Sequence, residues 1–215
     1  MEQLPKDIRN YCRLFVIRHG ETEWNVQRRL QGQSDSPLTE NGIEQAKKAA
    51  SELKYIPFEL AFSSDLLRAK RTAEIIAIEH NLTVTATKML RERSFGKYEG
   101  QPSEILRMFD HLLEAMTEQQ RFQHKPDEDV ESDEEVVFRL LSFMREIAIF
   151  YPSKNVLIAT HGGAMKALLI QLGYATYKTF PSRGIENTAY IELLSDGTDF
   201  FIQKTKGVAK PLETT

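Results

Sequence analysis

Hydrophobic positions in this chain follow two alternating patterns. Short apolar runs at Leu14-Ile17, Leu60-Ser63, Thr83-Ala86 and Asn155-Thr160 read as buried strands. Between them, apolar residues recur at helical spacing. Leu38-Thr39-Glu40-Asn41-Gly42 leads into Ile43, Ala46, Ala50 and Leu53. Leu66, Ala69, Ala73 and Ile76 form a second stripe, with Ser64-Asp65 as its expected cap. The longest predicted helix runs from Asp133 to Tyr151, with Val137, Leu140, Leu141, Met144, Ile147 and Ala148 on one side and Pro152 at its end. Ala164, Ala167, Leu168 and Leu169 mark another helix, closed by Gly173. Near the end of the chain, Ala189-Leu194 and Phe200-Lys204 flank Ser195-Asp196-Gly197-Thr198, the pattern of an antiparallel hairpin.

Strands alternating with helices predict an α/β fold: a three-layer α/β/α sandwich on a mostly parallel sheet, with one antiparallel edge. Residues 101–133 break the rhythm and read as a helical insertion over the carboxyl edge of the sheet, within a single domain spanning 1–215. Within it, Met108, Phe109, Leu112, Leu113 and Met116 are expected to form the insertion's own core, with a lining of the substrate entrance as the second reading. The acidic stretch Asp127 to Glu135 is expected to be solvated, and the patternless tail Lys206 to Thr215 frayed.

Composition narrows the function. With 215 residues, 41% hydrophobic and 27% charged, the chain is of ordinary globular make-up. Its net charge of -3 gives no electrostatic case for a nucleic-acid or anionic-membrane partner. Cys12 is the only cysteine, so no intrachain disulfide forms and a reducing compartment is expected. Met1 to Tyr11 has no apolar core of signal-peptide length, and no apolar run is long enough to span a bilayer. The expected location is cytoplasmic. His80, His111 and His124 lack metal-ligand spacing and read as surface residues. Neither a phosphate-binding Gly-Lys-Ser/Thr loop nor a dinucleotide glycine fingerprint is present, so no metal and no cofactor is expected.

The chemistry gathers at strand ends. Two apolar runs end in His-Gly steps, at Arg18-His19-Gly20 and at Thr160-His161-Gly162-Gly163. If these strands are neighbours, both imidazoles reach one rim at the carboxyl edge, where ligands of open α/β sheets bind. Arg18 can grip two phosphate oxygens, and an imidazole beside it can attack phosphorus. A structural histidine at a strand end is an equal reading of the tripeptide alone. Arg68 falls in the first turn of a helix that starts at the same rim, which suits an anion, although a single arginine there is more often simply exposed. Glu92, between Arg91 and Arg93, reads on its own as part of a surface salt bridge.

Taken in order, these pieces resemble the histidine phosphatase superfamily, whose best-known branch is phosphoglycerate mutase. The matching blocks are Arg18-His19-Gly20-Glu21-Thr22 with Asn25, Gln31-Gly32, Pro37-Leu38-Thr39 with Gly42, and Ser63-Ser64-Asp65-Leu66 with Arg68-Ala69 and Thr72. Leu90 with Glu92, Gly96 and Glu99-Gly100, and then His161-Gly162-Gly163, complete a match over about residues 14 to 172. The resemblance implies a phosphohistidine on His19, with Arg18, Arg68 and His161 around the transferring group and Glu92 as proton donor and acceptor. Asn25, Gln31, Gly32 and the Gly162 backbone are implied substrate contacts, and the implied partner is a small phosphorylated metabolite. A mutase resembles longer chains carrying a paired arginine after the Glu92 block. Here that stretch has isolated Arg107 and Arg121, and Asp129-Val130-Glu131-Ser132 stands where many relatives have Pro-Gly-Gly-Glu-Ser. The expected activity is therefore hydrolysis of small phosphomonoesters. A phosphoglycerate mutase, or a non-catalytic member binding phospho-ligands or a partner, are the alternatives.

Overall fold

A computed structural model describes residues 8–213. The readings made for the first seven residues and the last two lie outside that range. In chain order the elements are β1 (Cys12–Arg18), α1 (Glu23–Val26), α2 (Glu40–Leu53), β2 (Leu60–Ser64), α3 (Leu67–Ala77) and β3 (Val84–Thr87). There follow a 3₁₀ stretch (Ser103–Phe109), α4 (Asp110–Glu114), α5 (Glu118–Gln123), α6 (Asp133–Phe150), β4 (Asn155–Thr160), α7 (Gly162–Gln171), β5 (Ile185–Ser195) and β6 (Phe200–Val208).

The described strands form one sheet in the order β3-β2-β4-β1-β5-β6. The pairs β1/β4, β2/β4 and β2/β3 are parallel, and the β5-β6 hairpin adds the antiparallel edge. This is the α/β sandwich that the patterning predicts. The period-2 geometry of a strand explains why β1 is apolar throughout. Leu14 and Val16 pack into one core with Leu140 and Met144 of α6 and Met165 and Leu168 of α7. Phe15 and Ile17 face the other, with Ala50 and Leu53 of α2 and Ala73 and Ile76 of α3. Helix α6 is secured by a reciprocal cap: Ser132 Oγ accepts from Glu135 N–H at 3.1 Å, and Glu135 Oε2 accepts from Ser132 N–H at 2.9 Å.

Several expectations are corrected. Ser64 and Asp65 do not cap α3; Leu66 is the N-cap residue, and Leu67 N–H donates to Asp35 Oδ1 at 3.0 Å. Asp65 is drawn away by Arg91, which grips both of its oxygens at 2.7 Å. The tail is anchored, because Lys206 to Val208 extend β6, and Ala209 and Leu212 N–H donate to Gly184 and Thr179 carbonyls at 2.7 and 2.8 Å. The acidic stretch is solvated in part: Glu128, Asp129, Glu134 and Glu135 are exposed, but Asp133 is buried and several carboxylates are paired. Asp127 pairs with Lys97, Glu131 with Arg139, Asp133 with Arg93 and Glu135 with Lys125. In the insertion, Met108 and Leu112 are exposed, so the stripe is no local core; Leu113 turns inward to a cavity instead. The side chains of Arg107, Phe109 and His111 lie outside the described residues. His80 and His124 are half-buried, His80 because its ring packs edge-on to Phe58 at 4.9 Å.

One tight contact fixes the rim. Gly20 and Gly42 pack back to back where the first turn of α2 crosses the loop after β1. A Cβ on Gly42 would lie 2.0 Å from the Glu21 carbonyl oxygen, and one on Gly20 would lie 2.4 Å from the Gly42 carbonyl. Both obstacles are backbone, which cannot rotate aside. Gly42→Ala is expected to cost about 1–3 kcal/mol, a fall of roughly 2–12 °C in Tm. An unchanged melting curve would contradict this packing.

Candidate active site

Parallel pairing of β1 with β4 places Arg18 opposite Thr160, so the next residue of each strand, His19 and His161, emerges at the same edge. Their rings stand 5.2 Å apart, and both are almost fully buried. His19 Nδ1 lies 2.7 Å from the Gly20 carbonyl. A carbonyl can only accept, so Nδ1 carries the proton and Nε2 is the unprotonated nitrogen. Burial, followed by the charges of Arg68 and Arg18, pushes His19 well below the usual imidazole value. His161 is pushed down in the same way, by burial and then by Arg68, His19, Arg139 and Arg18. Both rings are therefore neutral near pH 7.

The guanidiniums come from two elements. Arg18, at the end of β1, donates from Nη1 to the Ile185 carbonyl at 2.5 Å. Arg68, in the first turn of α3 and 1% exposed, donates to the carbonyls of Ser34 and Gly32 at 2.7 and 2.6 Å. These bonds lock each fork while leaving Nε of both arginines buried without a partner. The two ring nitrogens of His161 and Oε1 of Gln31 are likewise buried and unpartnered. Such groups are rare in folded proteins; here those of Arg18, Arg68 and Gln31 line one cleft of about 540 Å³, with His161 beside its His19 wall.

Glu92 reaches the cleft from the segment after β3. Its Oε2 accepts from Gly163 N–H at 2.9 Å; its Oε1 accepts from Ala164 N–H at 2.8 Å and from Arg93 N–H at 2.9 Å. The carboxylate thereby caps α7, whose N-cap residue, His161, makes no side-chain cap bond. Gly163 permits this approach, because a Cβ there would sit 2.7 Å from Oε1. The flanking arginines are occupied elsewhere, Arg91 with Asp65 and Arg93 with Asp133.

Asn25, Gln31, Gly32 and Gly162 all line the same cleft. Asn25 is the N3 residue of the α1 capping box, and its Oδ1 accepts from Thr22 N–H at 3.1 Å. Its amide NH₂ is the end left for a ligand. Gly32 has φ +54 and sits against Glu99, which accepts from Gln33 and Ser34 N–H at 2.9 and 2.8 Å and so shapes the loop beneath Arg68. The nine residues singled out in the sequence thus converge in one place. Among the described residues, no group of three or more His, Cys, Asp and Glu side chains could hold a metal ion.

Other residues of the site escaped the sequence reading. Asn187 Nδ2 donates to the His19 carbonyl at 3.1 Å and to Asn25 Oδ1 at 3.4 Å. Arg139, on α6, donates to the carbonyls of Met89, Arg91 and Glu92 at 3.1, 2.5 and 2.9 Å and so pins the segment carrying Glu92. Arg28, Arg29, Lys166 and Arg183 add positive charge to the cleft wall. The Arg28-Arg29 pair close behind His19 was a legible signal; Asn187, Arg139, Lys166 and Arg183 belong to no local pattern.

A family model for branch 1 of the histidine phosphatase superfamily matches residues 14–206. The chain belongs to this superfamily. Among curated relatives it is 35% identical over 160 residues to the uncharacterised phosphatase PhoE of Bacillus subtilis, covering 73% of this chain and 75% of that protein. It is 32% identical over 176 residues to a 2,3-bisphosphoglycerate-dependent phosphoglycerate mutase of Methylocella silvestris, covering 78% and 84%. Among solved structures, a phosphoglycerate mutase from Bacillus anthracis superposes with a TM-score of 0.77 at 28% identity, over 94% of this chain and 95% of that one. The mycobacterial glucosyl-3-phosphoglycerate phosphatase in complex with VO₃ gives 0.73 at 27% identity, over 89% and 97%. Superfamily members named as phosphatases and as mutases thus stand at similar distances. No helix among the described residues is long and apolar enough to cross a membrane.

Proposed function

We propose that this protein is a metal-independent phosphatase that hydrolyses small phosphomonoesters through a phosphohistidine on His19. The observation that carries this reading is the ring of buried, unpartnered nitrogens on Arg18, Arg68 and His161 beside a neutral imidazole. Unpaired buried polar groups destabilise a protein unless a ligand satisfies them, and a phosphate group fits this set. Nε2 of His19 forms the new bond to phosphorus as the ester oxygen departs in line. Glu92 gives that oxygen its proton. Water then attacks the phosphohistidine, Glu92 takes its proton, and inorganic phosphate leaves with His19 restored. The two guanidiniums stabilise the charge on the equatorial oxygens throughout.

A screen of phosphomonoesters for release of inorganic phosphate tests the proposal. Steady release is expected from at least one class. Interconversion of 3-phosphoglycerate and 2-phosphoglycerate without net release would overturn it in favour of a mutase. No phosphate release from any member of a broad panel would favour a binding protein.

Two further outcomes follow from the site. Since the guanidiniums carry the charge stabilisation, EDTA is expected to leave kcat unchanged; a loss restored by a divalent cation would contradict this. Since His19 is held below the usual value of 6.5, it stays unprotonated as the pH falls through 6.5. The acid limb of kcat/KM, corrected for ionisation of the substrate phosphate, is therefore expected below pH 6.5. A limb above that value would show that the nucleophile is not shielded in this way.

A further inference from the structure

A second cavity, of about 550 Å³, lies beside the catalytic cleft. The two share Phe95, Ser103, Gly163, Lys166, Ser182 and Arg183 as walls, so a molecule can extend from one into the other. Each lies in the size range of small-molecule sites. A substrate no larger than a three-carbon phosphate would leave the second one vacant.

Its lining has a definite chemistry. Asp133, one of its carboxylates, is already committed, pairing with Arg93 and accepting from Tyr177 Oη at 2.5 Å. The other, Glu104, stands on an exposed position. Against these, Arg121, Lys166 and Arg183 have no ion pair among the described residues. Arg121 is stacked over the Tyr177 ring at 4.7 Å, an arrangement that fixes its position and leaves its outer edge available. Lys166 is crowded by Arg121 and Arg93 and is lowered by burial and by both of them. Arg121 and Lys166 repel one another, an anion placed between them relieves that repulsion, and Arg183 stands on the wall that this cavity shares with the cleft. Phe95, Leu106, Leu113 and Val130 supply apolar wall.

We propose that the second cavity is the subsite for the alcohol part of the substrate, which carries an apolar or aromatic body ending in a second acidic group held by Arg121, Lys166 and Arg183. This rests on the phosphatase reading of the first cavity. It names the substrate class as phosphomonoesters of extended hydroxy acids, or bisphosphates with an apolar spacer. Residues from the insertion, from α7 and from the loop before β5 build this subsite, so a separate part of the chain selects the substrate from the part that carries the reacting groups.

The test uses two non-hydrolysable probes, biphenyl-4-ylmethylphosphonate with and without a 4′-carboxylate, titrated calorimetrically into the purified protein. The acid is expected to bind about tenfold more tightly, as one charge-assisted contact set provides. That advantage is expected to fall below about twofold in Arg121→Met and in the exposed Arg183→Met, and to return in Arg121→Lys. Equal affinity for the two probes, or an advantage that survives both Met variants, overturns the subsite. Phosphate release from the matching aryl phosphates is measured in parallel. An Arg121-dependent preference in binding without any phosphate release upholds the subsite and overturns the hydrolase reading. Release that ignores both the carboxylate and the variants does the reverse.

Discussion

His19→Ala is expected to lower kcat by about 10⁴-fold or more, the scale on which losing a covalent nucleophile acts. It should also abolish acid-labile incorporation of phosphate from a labelled substrate. The geometry distinguishes this histidine from the other. The Gly20 carbonyl, 2.7 Å from Nδ1, fixes the tautomer of His19 before substrate arrives, so Nε2 has a lone pair in a set direction. His161 has no partner at either nitrogen, so nothing prepares it as a nucleophile. His161→Ala should therefore slow turnover while still taking up label. Label retained in His19→Ala and lost in His161→Ala would reverse the two assignments. Melting curves of both variants separate loss of chemistry from loss of fold, because each change leaves a buried space beside a guanidinium.

Much of this arrangement was legible in the sequence, for a physical reason. A parallel strand buried on both faces must be apolar throughout, so Leu14-Ile17 and Asn155-Thr160 stand out, and whatever follows them lies at the ligand-binding edge. That argument places His19 and His161 at the same edge, the pairing of β1 with β4 puts them side by side, and the first-turn rule brings Arg68 to the same rim. The placement of Glu92 was legible only through the family resemblance. Between two arginines it looks like a surface ion pair, and what moves it inward lies far away in sequence. Arg91 is drawn to Asp65 and Arg93 to Asp133, while Arg139 clasps three carbonyls of the Glu92 segment. Single long-range partners of this kind leave no periodicity behind. The acidic run before α6 was legible only in part for the same reason: Glu128, Asp129 and Glu134 are exposed as expected, but composition does not record the cations that Lys97, Arg93, Arg139 and Lys125 bring to its other carboxylates.

The second large effect separates the two halves of the reaction. Glu92→Gln keeps a side chain of the same shape but can neither donate a full proton nor take one. For alkyl phosphates, whose leaving oxygen must be protonated, formation of the phosphohistidine is expected to slow by about 10²–10⁴-fold. For p-nitrophenyl phosphate the leaving phenolate needs little protonation, so that first step is largely spared. Attack of water on the phosphohistidine still needs the base, whichever substrate formed it. The variant should therefore give a burst of p-nitrophenolate approaching one equivalent of active sites, followed by a slow steady rate, and no burst with an alkyl ester. The amide also loses part of the cap that the carboxylate gives to Gly163 and Ala164 N–H, at 2.9 and 2.8 Å, so some fall in Tm is expected. That loss acts on both substrates alike and cannot create a difference between them. Equal slowing of the first step for good and poor leaving groups would therefore remove Glu92 from the acid role and leave it as a helix cap.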